Sequence, residues 1–228
     1  MTPLHTDRTY EQQLGQLRSA VLEMGGLVED QIGQAVRALV DRDQTLARAT
    51  IDRDHTVNRF DVEIDELSLK LLALHQPAAR DLRLITTALK ITTDLERVGD
   101  MAAHIAERAI ELSAELPIKP YIDIPRMADL ARDMLHRSLD AFVQESVELA
   151  LGVCASDDAI DQLHEQLFRE LLSFMAEDPS TVSRAMRLLF VSKYLERVGD
   201  HATNIAEMVI FMAKGRSIRH LDKLPREL

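Results

Sequence analysis

The hexapeptide Leu-Glu-Arg-Val-Gly-Asp occurs twice in this chain, at 95–100 and again at 195–200. On a helix, Glu96 and Asp100 stand one turn apart on one face, as do Glu196 and Asp200. Like charges in that register destabilise an isolated helix by roughly 0.2–0.5 kcal/mol, a penalty that a bound cation reverses. Carboxylate pairs of this kind are suited to cation ligation, and their duplication makes a metal site the first functional question.

With Glu96 as origin, Asp100 lies about 40° and His104 about 80° round the helix, whereas Ile91, Leu95, Val98, Ala102, Ile105 and Ala109 fall on the opposite side. Glu196, Asp200 and Asn204 repeat the arrangement opposite Val191, Leu195, Val198 and Ile205. Gly99, Ala103, Gly199 and Thr203 flank the acids and leave room for a neighbouring helix or an ion. On the preceding helix Asp54, Asn58, Asp61 and Asp65 form a narrow polar line opposite Val57, Phe60, Ile64, Leu67 and Leu71, and Asp157, Asp161 and His164 repeat it in the second half. If the second and third helices of each half lie side by side, their polar lines converge and gather five or six oxygen and imidazole ligands. That donor set suits Mg, Mn, Fe or Zn without choosing among them. With thiolate absent from it, a Cys-type structural zinc site is excluded. The competing readings are a solvated acidic face on a metal-free helical scaffold and a ferritin-like carboxylate-bridged metalloenzyme, whose ligands would project inward.

The elements that must position these residues read as helices almost throughout. Aromatic residues make up 4% of the 228, Trp is absent, and Gly and Pro number 8 and 7, so the β-branched and aromatic runs of strands are missing. Apolar spacing at Leu14, Leu17, Val21, Leu22, Met24, Val28, Ile32, Val36 and Leu39 predicts a first helix from Tyr10 to about Val40, with Gly25–Gly26 as a close-packing point. A second begins near Asp43 or Asp52 and stops at Gln76–Pro77, and a third runs from Ala78 to about Glu115. After a proline-rich break the order repeats: Arg126 to about Leu151, Ser156 to Ala176 with Ser156 and Asp157 as caps, and Ser180 to about Lys214, ended by Gly215. The result is six helices, three per half, with units at 1–116 and 126–215, a linker at 117–125 and a tail at 216–228. The halves align with an offset of 100 through the third helices and 103 through the second.

A net charge of −11 argues against nucleic acid and favours cationic ligands or basic partner surfaces. The lone Cys154 fits a reducing compartment and reads as a small space-filling residue. No stretch approaches the roughly 18 apolar residues of a membrane span, and the start of the chain has no signal-peptide core, so a soluble protein without a targeting sequence is expected. Arg97 and Arg197 read as salt-bridge partners, His75 as a helix-end residue, and His136 and His220 as surface residues. No phosphate loop, Ser-His-Asp order or nucleophile elbow is present, so no catalytic residue is assigned.

The segments at Leu22–Ile32, Asp54–Glu66 and Gln76–Ile85, together with both Leu-Glu-Arg-Val-Gly-Asp copies, resemble the PhoU family of phosphate-specific transport system accessory proteins over nearly the whole chain. The resemblance implies an all-α fold of two tandem antiparallel three-helix bundles related by duplication, a cytoplasmic homodimer, and multinuclear metal clusters bound through E(D)xxxD motifs. Those motifs carry over to Asp54/Asn58 and Glu96/Asp100, and to Asp157/Asp161 and Glu196/Asp200; Asn58 stands where a carboxylate is expected. Asp61, His104, His164 and Asn204 are added by helical geometry alone. The implied role is negative regulation of phosphate uptake and of the starvation response, as an adaptor between the ATPase subunit of a phosphate ABC transporter and a sensor histidine kinase. An acidic surface repels phosphate, so the expected input is the transporter's conformation.

Overall fold

The structure, a computed structural model, describes residues 5–216, with side chains from Arg8 onward. The expected tail beyond Arg216, including His220, and the first residues of the expected leaderless start lie outside the described residues. Within them the helices are α1 (His5–Asp41), α2 (Gln44–Asp52), α3 (Asp54–Leu74), α4 (Ala79–Ser113), α5 (Asp123–Gln144), α6 (Val147–Cys154), α7 (Asp157–Glu177) and α8 (Val182–Lys214), with a 3-10 turn at Pro179–Thr181. The fold is all-α, and the six long helices are the six that periodicity predicts.

The two short helices arise from one device used twice. Arg42 (φ 57°) and Glu145 (φ 51°) adopt left-handed backbone, and each is followed by a capping residue. Asp43 accepts from the backbone N–H groups of Thr45 (2.9 Å) and Leu46 (3.0 Å), and Ser146 accepts from that of Leu149 (3.3 Å). Helix therefore stops and restarts within two residues, which corrects the expected continuous span from Arg126 to Leu151. Both left-handed residues are anchored by their side chains: Arg42 donates to the Ser113 and Glu115 carbonyls at the end of α4, and Glu145 accepts from Arg18 and Arg80. Ser156, expected as a cap, instead donates its hydroxyl to the Gly152 carbonyl.

Side-chain contacts fix the helix directions. α1 and α4 run parallel, joined by Tyr10 and Asp81 (3.2 Å) at one end and by Gln44, just beyond α1, and Ser113 (2.7 Å) at the other. α3 runs against them, with His75 on Gln13 at 3.1 Å. The halves meet through antiparallel pairs. Arg83 donates to the Met212 carbonyl (2.9 Å) and Arg187 pairs with Glu111 (3.0 Å) and Glu115 (2.7 Å) along α4–α8, while Arg18 reaches Glu145 (2.7 Å) and Arg132 the Glu29 carbonyl (3.1 Å) along α1–α5. Equivalent helices thus pack on each other, and the halves are related by an approximate two-fold. The segment between them is pinned by Lys119, which pairs with Asp123 (2.7 Å) and Glu170.

The predicted stripes form the core, from Leu17, Met24 and Ile32 of α1 to Leu95, Ile105, Leu195 and Ile205 of the third helices, all fully buried. Each such Leu or Ile contributes about 1.5–3 kcal/mol relative to exposure. Leu22 is the exception, an exposed side chain although it shares the helical spacing. The buried polar residues are Gln, Ser and Thr, and no carboxylate, imidazole or cationic side chain is buried among the described residues.

Gly25 and Gly26 differ in what a Cβ would meet. At Gly25 it would run into the Leu139 side chain where α1 crosses α5, whereas at Gly26 nothing lies within 4 Å. Gly26→Ala should raise stability by about 0.8–1 kcal/mol through helix propensity. Gly25→Ala should lower it by about 1–3 kcal/mol through overpacking. Urea unfolding of the two variants checks the opposite signs.

Candidate metal centre

The glycine of each Leu-Glu-Arg-Val-Gly-Asp copy admits the outer helix. A Cβ at Gly99 would lie 3.1 Å from Val57 Cγ1 and 3.4 Å from Asp54 Oδ1, and one at Gly199 would lie 3.0 Å from Ile160 Cγ2. α3 therefore rests on α4, and α7 on α8, with an acidic seam along each contact.

In the first seam Asp54 Oδ1 is buried without a hydrogen-bond partner, and Oδ2 accepts from the Asn58 amide at 2.9 Å. Burial, then the Asp100 charge, raises the Asp54 carboxyl above its ordinary range. Burial followed by Asp100 raises Glu96, with Asp61 and Asp54 adding to it against Arg97. Asp61 is raised by burial and by Asp65. Arg97 lies 3.5 Å from Glu96 and 3.3 Å from Asp100, the salt-bridge role its position suggests. His104 turns towards the other half, where its ring stacks on Tyr194 with centroids 5.2 Å apart, yet its charge still lowers Asp54 slightly.

In the second seam Thr203 donates to Asp157 (3.2 Å), and Lys193 binds Glu196 at 2.6 Å. Burial, then Asp161, raises Asp157; burial, then Glu196, raises Asp161. The strongest effect falls on Asp200, which desolvation followed by Glu196, Asp157 and Asp161 pushes up to about 6. His164 Nδ1 lies 2.9 Å from the Ser192 hydroxyl, which holds the ring against α8, and Asn204 is half-buried beyond Thr203.

Each seam thus places its outer-helix and inner-helix acids within electrostatic reach of one another. The five or six donors foreseen at one point are strung along the seam: among the described residues, no three His, Cys, Asp or Glu side chains gather closely enough to share one ion. The bare buried oxygen of Asp54 and the all-oxygen character of the acids fit a hard cation, which offsets the desolvation and the mutual repulsion that raise Asp54, Asp61 and Glu96. Single-chain periodicity missed Asp94 and His201, whose side chains pair across the halves at 2.8 Å, because nothing local announces which helices of two bundles meet. Lys193 had a signal: its counterpart at the offset of 100 is Thr93, so the cation is an addition to one copy. Cys154 is half-buried, and burial followed by Glu207 and Asp157 pushes its thiol up to about 11.

A duplicated all-α bundle whose outer helices rest on glycines and whose acids line both seams defines a class of tandem helical-bundle proteins. Residues 21–109 and 124–209 each match the PhoU domain, and the chain belongs to the PhoU family. It is 41% identical over 219 residues to the phosphate-specific transport system accessory protein PhoU homologue of Pseudomonas putida, covering 95% of this chain and 85% of that protein. The Pseudomonas aeruginosa homologue is 40% identical, with coverages of 95% and 90%. The crystal structure of PhoU from Pseudomonas aeruginosa superposes with a TM-score of 0.87 at 40% identity, over 91% of this chain and all of that one. The phosphate transport system regulatory protein PhoU from Streptococcus pneumoniae gives 0.85 at 28% identity, over 92% and 99%.

The raised Asp200 carboxyl has a definite consequence for pH. Its folded value lies above the ordinary aspartate value of about 3.9, so the folded protein holds the extra proton between the two. The stability contributed by that proton is complete below about 3.9 and is lost as pH rises through about 6. In chelator at about pH 7, Asp200→Asn should raise stability by roughly 0.2–0.5 kcal/mol from the lost Glu196 repulsion. It should also flatten the fall of the urea midpoint with rising pH; an unchanged slope would show that Asp200 is not strained by its neighbours.

Proposed function

We propose that this protein is a phosphate-transport accessory regulator, a cytoplasmic adaptor that joins a phosphate ABC transporter, through its ATPase subunit, to a sensor histidine kinase. In this reading it works as a homodimer, restrains phosphate uptake and keeps the starvation response off when phosphate is plentiful. The observation that carries the proposal is that both halves match the PhoU domain while relatives at about 40% identity over nearly the full chain are named as phosphate-specific transport system accessory proteins. No reaction is assigned to it. Among the described residues no helix is long and apolar enough to cross a membrane, so contact with a transporter has to be made from a surface.

The same proposal includes metal at the seams. Asp54, Asp61, Glu96 and Asp100 would hold cations in the first half, and Asp157, Asp161, Glu196 and Asp200 in the second, with Asn58, His104, His164 and Asn204 as neutral donors at the margins. Fe, Zn, Mn and Mg all fit an oxygen-rich set of this kind. A bound cation supplies a local positive charge that offsets the mutual repulsion of these acids. The ferritin-like alternative needs carboxylates projecting into the bundle, and the described core contains none.

Immobilised protein should retain both the transporter ATPase subunit and the kinase from purified mixtures, and deletion of its gene should switch on a phosphate-starvation reporter in phosphate-rich medium. Retention of neither component, with a silent reporter, overturns the adaptor reading. Metal content after purification without chelator should fall in a Glu96→Ala/Asp100→Ala variant by the share of the first seam. Unchanged stoichiometry removes that site.

A further inference from the structure

The duplication supplies an internal control for the surface. Along the outer face of α7 and α8, Phe168, Leu172, Val182, Met186 and Phe190 are each between 42% and 47% exposed. At the offsets of 103 and 100 that relate the halves, their counterparts are Asp65, Leu69, Leu82, Thr86 and Lys90. Three of the five positions therefore carry a large apolar side chain in the second half and a polar or charged one in the first. Packing does not require the difference, because these side chains point away from the core.

The exposed residues form one ridge. His164 on Ser192 and Thr203 on Asp157 hold α7 and α8 antiparallel. Phe168 and Leu172 follow His164 at intervals of four, and Val182, Met186 and Phe190 are spaced by four on α8, so each set shares a helix face. Phe190 stacks with Tyr194 at 6.5 Å, and Tyr194 in turn with His104, which extends the aromatic surface towards α4. The ridge runs directly into the acidic seam of Asp157, Asp161, Glu196 and Asp200. From Val182 to Asp200 the combined surface is about 27 Å long at 1.5 Å per residue, the length of an 18-residue helix.

We infer that the α7–α8 face is the docking surface for an amphipathic helical segment of another protein, with an apolar stripe that covers Phe168, Met186 and Phe190 and basic residues that lie over the exposed Asp161 and Asp200. Charge decides against a second copy of this chain: the ridge adjoins an acidic seam in a protein of net charge −11, so a two-fold copy would bring like charges together. A helix laid in a groove binds through residues at i, i+3 or i+4 and i+7, the spacing that two facing rows of side chains four apart accept. Exposed Met and Phe adapt to more than one apolar sequence. The inference deepens the adaptor reading by naming the face and the kind of segment, and its test does not depend on which proteins carry that segment.

A fluorescein-labelled synthetic helix of about 18 residues, with Leu at i, i+3, i+4 and i+7 in one half and Lys on the same face in the other, is the probe. Anisotropy should report binding that weakens at least about tenfold in Phe168→Ser/Phe190→Ser, as expected for buried aromatic anchors, and in Met186→Glu. The mirror variant Leu69→Ser/Leu82→Ser in the first half should leave it unchanged, and a peptide with Glu in place of Lys should not bind. Equal losses from the two halves, or indifference to Phe168 and Phe190, overturn the proposal. So does sedimentation that finds a wild-type dimer and a monomeric Phe168→Ser/Phe190→Ser variant, since a second copy then covers the ridge. Flotation of the wild type, but not the variant, with phosphatidylcholine vesicles would overturn it in favour of a membrane. A failed pull-down of transporter and kinase alongside intact peptide binding would sink the adaptor reading and leave this surface standing.

Discussion

The missing side chain at Gly99 and Gly199 sets the distance on which the rest of the molecule depends. With 3.1 and 3.0 Å between the position of an added Cβ and the nearest side-chain atoms of Val57 and Ile160, any larger residue forces those side chains, or the helix that carries them, to give way by a few tenths of an ångström. In a helix interior glycine costs about 0.8–1 kcal/mol relative to alanine. The chain accepts that cost in the same place twice, within each copy of its repeated hexapeptide. What it gains is an interhelical seam narrow enough that carboxylates from two helices, each harmless on an isolated surface, desolvate and repel one another. The raised carboxyls of Asp54, Glu96, Asp157 and Asp200 follow from that geometry more than from any single neighbour.

Strain of this kind is local disagreement within an otherwise consistent fold. The apolar stripes agree with the six long helices, and among the described residues the bundle cores contain no ionisable side chain. The acids lie outside those cores, so the cost of crowding them does not compromise the packing that holds the halves together. It also means that neutralising them, by protons or by cations, stabilises the seams without rebuilding the interior. The antiparallel pairing of α4 with α8 then places both seams on one continuous body, with His104 of one half stacked on Tyr194 of the other.

Much of this was legible in the residue order because it is periodic. The long helices, their buried faces, the duplication with its two offsets and the alignment of the acids are all consequences of 3.6-residue geometry. The restarts after Arg42 and Glu145 were not, since neither residue is the glycine that normally marks left-handed backbone; each is held there by contacts to residues far along the chain, Ser113 and Arg18 among them. The pairing of Asp94 with His201 was equally hidden, because it depends on which helices of the two bundles meet and in which direction. The looseness of the donor sets was hidden as well: helical angle tells which way a side chain leaves its axis, while closure around one ion depends on rotamers and on a few ångströms of axial offset between neighbouring helices.

Duplication frees one copy to change while the other preserves the common frame. Both halves keep the glycine seat, the Glu-x-x-x-Asp pair and the apolar stripe behind it, and these are the features that fix helix spacing. Departures fall where spacing is not at stake: Thr93 against Lys193, Asp65 against Phe168, Lys90 against Phe190. Lys193 softens the second seam by pairing with Glu196 at 2.6 Å, whereas the first seam has only the more exposed Arg97 at 3.3–3.5 Å. Each change alters what the surface can meet and leaves the core as it was. A single fold thus presents two acidic seams built on the same glycine seat in different surroundings: Asp65, Thr86 and Lys90 on α3 and α4 of the first half stand where Phe168, Met186 and Phe190 stand in the second.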